Sequence, residues 1–189
     1  MAATSEISVR DYCLRIEFLS EISSILDYKP DVVLNLADST NLEGTIHPVT
    51  KLVDMDHKIV LALERYDEFL ATGHSVDMDK LSLLLGMPVL AADFDDVEGK
   101  ARIVPAIIDA YETPAPDADK KVRIPYGQDI EKAILKISEK IHHQHDDDTC
   151  FTDRYMAVRL LEKQPYILVI GRDEVNNLRE EYKRHHKGS

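Results

Sequence analysis

Asp31-Val32-Val33-Leu34-Asn35-Leu36-Ala37-Asp38 begins and ends on a carboxylate and is apolar between, broken only by Asn35. A short, nearly continuous apolar run suits a strand covered on both faces, the pattern of parallel sheets. The same pattern returns in Lys58-Ile59-Val60-Leu61-Ala62-Leu63, which runs into Glu64-Arg65-Tyr66-Asp67, and in Pro88-Val89-Leu90-Ala91-Ala92-Asp93. Helical spacing fills the intervals. One helix carries Ile46, Val49, Leu52, Val53 and Met55; another spans Asp77 to Leu85 and is stopped by Gly86; a third covers Val104 to Tyr111. Strands alternating with helices mean parallel pairing through right-handed crossovers, with ligands expected at the carboxyl ends of the strands. The predicted fold class is therefore α/β with at least three parallel strands. Asp38, Glu64, Asp67 and Asp93 all fall at or just beyond such ends.

Upstream, the apolar positions between Cys13 and Leu26 predict an amphipathic helix from Arg10 to Leu26, with Cys13 packed inside it. Downstream, Thr113-Pro114-Ala115-Pro116-Asp117 marks a boundary between an α/β domain over 1–112 and a helical domain over 118–189. The second part is predicted as helices over Ile130–Ile141, Asp153–Lys163 and Asp173–His186, a small all-helical domain.

Composition narrows the function. The chain has 189 residues, with 23 Lys+Arg against 35 Asp+Glu and a formal net charge of −12. That balance argues against nucleic acid, whose phosphates need clustered cations, and against adsorption to anionic lipid. Two cysteines, Cys13 and Cys150, build no disulfide framework, so a reducing cytoplasmic setting is expected. No apolar stretch reaches the length of a membrane span.

Several segments, taken in order, resemble the cytosolic region of the ferrous-iron transport protein B family. Lys29 to Glu43 is similar to that family's strand leaving its second switch, and Ile59 to Phe69 to its guanine-specificity strand. Leu81 to Val89 resembles the approach to its last base-contacting loop. Tyr126-Gly127-Gln128-Asp129-Ile130-Glu131 and Arg154 to Glu162 resemble its helical domain. The resemblance implies a truncated GTPase-like sheet followed by a helical domain, in a family that joins a soluble GTPase region to a membrane permease. The family's phosphate loop, first switch and Asp-x-x-Gly motif would all precede the matched residues.

Against that background the site residues are altered. The seven glycines stand at 44, 73, 86, 99, 127, 171 and 188. None lies in G-x-x-x-x-G-K-[ST], the loop whose backbone N–H groups and Lys hold phosphates. The Asn-x-x-Asp base motif that the resemblance implies falls on Glu64-Arg65-Tyr66-Asp67. Asp67 can accept from guanine, but an ionised Glu64 cannot donate to guanine O6. The last base loop falls on Ala91-Ala92-Asp93-Phe94, where Ala92 and Asp93 replace small hydroxyl-bearing residues. Asp67 also reads as a helix N-terminal charge, the preferred reading, with a residual nucleotide contact as the alternative.

His142-His143-Gln144-His145-Asp146-Asp147-Asp148-Thr149-Cys150 holds imidazole, carboxylate and thiol groups. His142, His145 and Cys150 are thus candidate ligands for Fe2+ or Zn2+, with a solvated loop as the preferred reading. No cofactor is expected, and GTP enters only through family ancestry.

These features lead to three expectations. The first is a non-hydrolysing, transporter-related cytosolic module acting through protein contacts. The second is part of an active GTPase whose phosphate loop lies outside this chain, and the third a small metal-binding protein. A homodimer or partner contact is expected near Val32–Ala37, with a membrane permease as a further possible partner.

Overall fold

The computed structural model describes residues 4–9, 11–19, 25–55, 57–114, 121–142 and 152–162. The chain divides into two units, Met1–Pro30 and Asp31–Ser189.

The first unit corrects the N-terminal expectation. Instead of a helix over Arg10–Leu26, two strands, β1 (Thr4–Val9) and β2 (Tyr12–Glu17), form an antiparallel pair, followed by one helical turn, α1 (Ile25–Tyr28). The physical reason is a period of two. Ile7, Val9, Tyr12, Leu14 and Ile16 are half-buried while Glu6, Ser8, Cys13 and Arg15 are exposed, the alternation of a one-sided ribbon. Val9 pairs with Tyr12, so the connection is a tight hairpin. Cys13 is correspondingly an exposed free thiol on β2, not a buried one.

In the second unit the three predicted strands form one parallel sheet in the order β3-β4-β5: β3 (Val33–Asp38), β4 (Ile59–Glu64) and β5 (Val89–Ala91). β4 is central, and Ile59 to Leu63 are all buried, which explains the unbroken apolar run. A 3-10 turn, Ser39–Asn41, leads from β3 into α2 (Leu42–Val53). After β4 come α3 (Tyr66–Ala71) and α4 (Met78–Leu85), and after β5 comes α5 (Val97–Glu112). Val49, Leu52 and Met55 from the α2 side and Ile103 and Val104 of α5 complete the core. Burying five such aliphatic side chains is worth roughly 1.5–3 kcal/mol each before ordering costs.

Two glycines do specific work. Gly86 takes φ +68 at the end of α4 and returns its N–H to Ser82 O, the left-handed cap expected of it. Gly99, in the first turn of α5, lies so close to Asp93 that a Cβ would sit 1.8 Å from its carbonyl oxygen. Only hydrogen at that position lets α5 begin directly behind the carboxyl end of β5.

The helical part holds α6 (Gln128–His142) and α7 (Asp153–Leu161), which pack on each other. Ile134, Ile137 and Ile141 are buried at three- and four-residue spacing, the stripe expected of a helix covered on one face. The expected helix Asp173–His186 lies outside the described residues.

Candidate functional site

The carboxyl ends of β3, β4 and β5 converge, and the residues there bind one another. Asp38 ends β3 and caps the following turn: its Oδ1 accepts from Thr40 N–H at 2.9 Å and from Thr40 Oγ1 at 2.7 Å. Arg65, just past β4, reaches across to it. The guanidinium pairs with Asp38 Oδ2 and donates to Thr40 Oγ1 at 2.8 Å. Arg65 sits at φ +52, left-handed and unusual for a residue with a Cβ. Its N–H donates to Asp93 Oδ1 at 2.8 Å, which holds the conformation. Glu64 Oε1 accepts from Phe94 N–H at 3.1 Å. The four base-site positions therefore separate into different roles. Glu64 and Asp93 spend oxygens on backbone donors that tie β4 to the loop after β5. Ala92 is buried, and its N–H donates to Leu63 O at 3.1 Å. Asp67 is exposed in the first turn of α3, beside Glu68, where its charge favours the helix N-terminus.

Electrostatically this corner is acidic. Asp38, Glu64, Asp67, Glu68 and Asp93 gather here with Arg65, which is already engaged, while Arg102 donates to Ala91 O at 2.9 Å and Lys100 lies over the Phe94 ring. A polyanion arriving here meets five carboxylates against three cations, of which Arg65 is paired with Asp38.

Of the proposed metal ligands, His142 is the last residue of α6, while His145 and Cys150 lie outside the described residues. Among the described residues no group of three or more His, Cys, Asp or Glu side chains gathers into a possible metal site.

A second constellation was not expected from the sequence. Asp54, just after α2, is buried with its side chain 2% exposed. Arg154 of α7 donates through Nε to Asp54 Oδ1 at 3.1 Å, and through both terminal nitrogens to Glu131 of α6 at 2.8 and 2.9 Å. It also reaches Ile124 O at 2.9 Å. Tyr126 donates its hydroxyl to Asp54 Oδ2 at 2.8 Å and its N–H to Glu131 Oε1 at 3.1 Å, and Thr152 Oγ1 donates to Asp54 O at 2.6 Å. The Arg154 fork holds the Glu131 carboxyl down at about 2, outweighing its burial. Burial first, and then the Asp54 hydrogen bond, pushes the Tyr126 phenol up. Every polar group of the cluster has a partner, the condition for tolerating charge in a core. The cluster joins the end of α2 to α6 and α7. Tyr126, Glu131 and Arg154 lie in segments already singled out for their family resemblance. Asp54 sits in an ordinary polar stretch and gave no signal.

The comparisons with known proteins agree with this architecture. The family described as "Ferrous iron transport protein B" matches residues 19–107, and the one described as "FeoB cytosolic helical domain" matches residues 126–188. A fusion protein of Fe(2+) transport protein A and Fe(2+) transporter FeoB from Porphyromonas gingivalis is 33% identical over 146 residues, covering 77% of this chain and 17% of that protein. The chain spans 17% to 23% of the length of the curated relatives it matches. Among solved structures, the cytosolic domain of L. pneumophila FeoB has a TM-score of 0.78 at 17% identity, covering 98% of this chain and 76% of that one. The cytosolic domain of the T. maritima FeoB iron transporter in GMPPNP form has a TM-score of 0.72 at 21% identity, covering 98% and 81%. The chain belongs to the ferrous iron transport protein B family, as a G-domain-like α/β layer followed by the cytosolic helical domain.

Proposed function

We propose that this chain serves as a cytosolic module of ferrous-iron transport in which the nucleotide-base site has become a structural joint. In this reading it does not hydrolyse GTP and acts through protein contacts, with a membrane permease among its partners. One observation carries the reading: Glu64 accepts from Phe94 N–H, Asp93 accepts from Arg65 N–H, and the Arg65 guanidinium pairs with Asp38, so these side chains are spent on internal contacts. Guanine needs a donor at O6, and Glu64 offers a carboxylate already accepting from Phe94 N–H. The cytosolic location of this module follows from its place in the family, and no helix among the described residues is long and apolar enough to cross a membrane.

The test is titration of the chain with a fluorescent GTP analogue in Mg2+, beside Glu64→Asn. The expected result is no saturation below about 1 mM for the wild type, binding weaker than ~4 kcal/mol. Glu64→Asn restores one donor and is expected to gain no more than about tenfold, the worth of one hydrogen bond. Micromolar, Mg2+-dependent affinity of the wild type would refute the reading.

A further inference from the structure

Arg65 touches the ends of all three strands of the parallel sheet. It follows β4 directly; its guanidinium holds Asp38, the last residue of β3, and Thr40 of the turn beyond; and its N–H is held by Asp93, just past β5. The tie to the β5 side is returned by a neighbour. Phe94 N–H donates to Glu64 Oε1 at 3.1 Å, while Arg65 N–H donates to Asp93 Oδ1 at 2.8 Å. Residues 64–65 and 93–94 therefore exchange a carboxylate and an N–H in each direction. The β5 side is itself fixed: Phe94 is 5% exposed with Lys100 over its ring, and Gly99 packs against the Asp93 carbonyl.

Arg65 is strained in this arrangement. Its φ of +52 is a left-handed conformation disfavoured for a residue with a Cβ, and it occupies the N-cap of α3 without making a side-chain cap bond. Such a conformation persists where surrounding contacts over-determine it. Here those contacts come from 27 and 28 residues away, through Asp38 and Asp93. We propose that Arg65 is a strained latch. When Asp93 lets go of its N–H, the backbone leaves the left-handed region, the guanidinium withdraws from Asp38 and Thr40, and the ties to β3 and β5 open together. The corner thus has a closed state, with three strand ends fastened, and an open one, with the turn Ser39–Asn41 freed at the head of α2. The latch gives the structural joint a conformational control, and it rests on the proposed function only in that no nucleotide holds the corner.

Amide hydrogen exchange of the full chain without nucleotide, read residue by residue by NMR, tests the latch. Asp93→Ala removes the acceptor of the Arg65 N–H and should speed exchange there about tenfold, the worth of one hydrogen bond. Phe94 and Thr40 keep their own acceptors, Glu64 and Asp38, yet each should exchange at least about threefold faster, because both depend on the closed state. Gly86, whose N–H is held by Ser82 O at the end of α4, should not change. Arg65→Gly takes the left-handed backbone freely and should keep Phe94 protected, whereas Arg65→Ala should lose about threefold or more of that protection. If Gly86 also speeds up in Asp93→Ala, that variant is loosened throughout and the Arg65→Gly and Arg65→Ala pair decides. Faster exchange at Arg65 alone overturns the proposal, as does equal Phe94 protection in the two Arg65 variants. Micromolar GTP binding in the titration would refute the non-nucleotide reading and leave the exchange rates to judge the latch.

Discussion

Replacing Arg154 with Ala removes four hydrogen bonds at once, two to Glu131 and one each to Asp54 and Ile124 O. Their losses are unequal. The Glu131 side chain is 37% exposed, so water can replace the fork, and that half behaves as a surface pair worth up to about 1 kcal/mol. Asp54 cannot rehydrate at 2% exposure, and it keeps only the Tyr126 hydroxyl among its side-chain donors. An uncompensated buried charge costs roughly 3–5 kcal/mol, and the remaining phenol donor favours the lower end. The expected loss is therefore about 3 kcal/mol, or a melting point lower by about 6–12 °C for a chain of this size. Urea unfolding of Arg154→Ala, Asp54→Asn and the double variant measures it. Neutralising Asp54 removes the stranded charge, so the double variant should be more stable than the sum of the singles by at least about 1.5 kcal/mol. A loss below about 1 kcal/mol for Arg154→Ala, or strict additivity, would refute the reasoning.

Other predictions test separate parts of the structure. Glu131 is held below its ordinary value, so the stability it contributes is fully present above about pH 4.5 and is lost as pH falls toward about 2; urea midpoints should decline over that window, less steeply in Glu131→Gln. Gly99→Ala drives a methyl into the Asp93 carbonyl and should cost about 3 kcal/mol or prevent folding, readable from soluble yield and melting. At Arg65, with φ +52, Gly should be more stable than Ala by about 1 kcal/mol, the reverse of the usual helix-interior order. Equal melting points for the two variants would show that the left-handed turn relaxes.

The sheet was legible because β4 is buried on both faces and β3 and β5 repeat its apolar run; nothing longer-range was needed. The N-terminal unit was misread because its apolar residues fit two periods. Leu14, Phe18, Leu19 and Ile22 suit a helix, while Ile7 to Ile16 alternate, and the alternation won once Val9 paired with Tyr12. The base-site substitutions could be read singly, since a carboxylate at Glu64 excludes a donor by chemistry alone. What the sequence did not disclose is that Arg65 takes a left-handed conformation and clasps Asp38, a contact across 27 residues. The Asp54 cluster was hidden for the same reason. Its members are separated by up to 100 residues, and no spacing rule brings an aspartate after one helix to an arginine in another.

That separation also matters while the chain is being made. At roughly 5–20 residues per second, a nascent chain waits about 5–20 s between the synthesis of Asp54 and that of Arg154. β4 and β5 are made within this interval, yet the sheet is complete well before Asp54 can meet the Arg154 guanidinium. It must remain hydrated, holding the end of α2 open to water. The α/β layer can close there only after the second helical segment emerges, which makes this joint the place where a nascent or truncated chain is most exposed to proteases and chaperones.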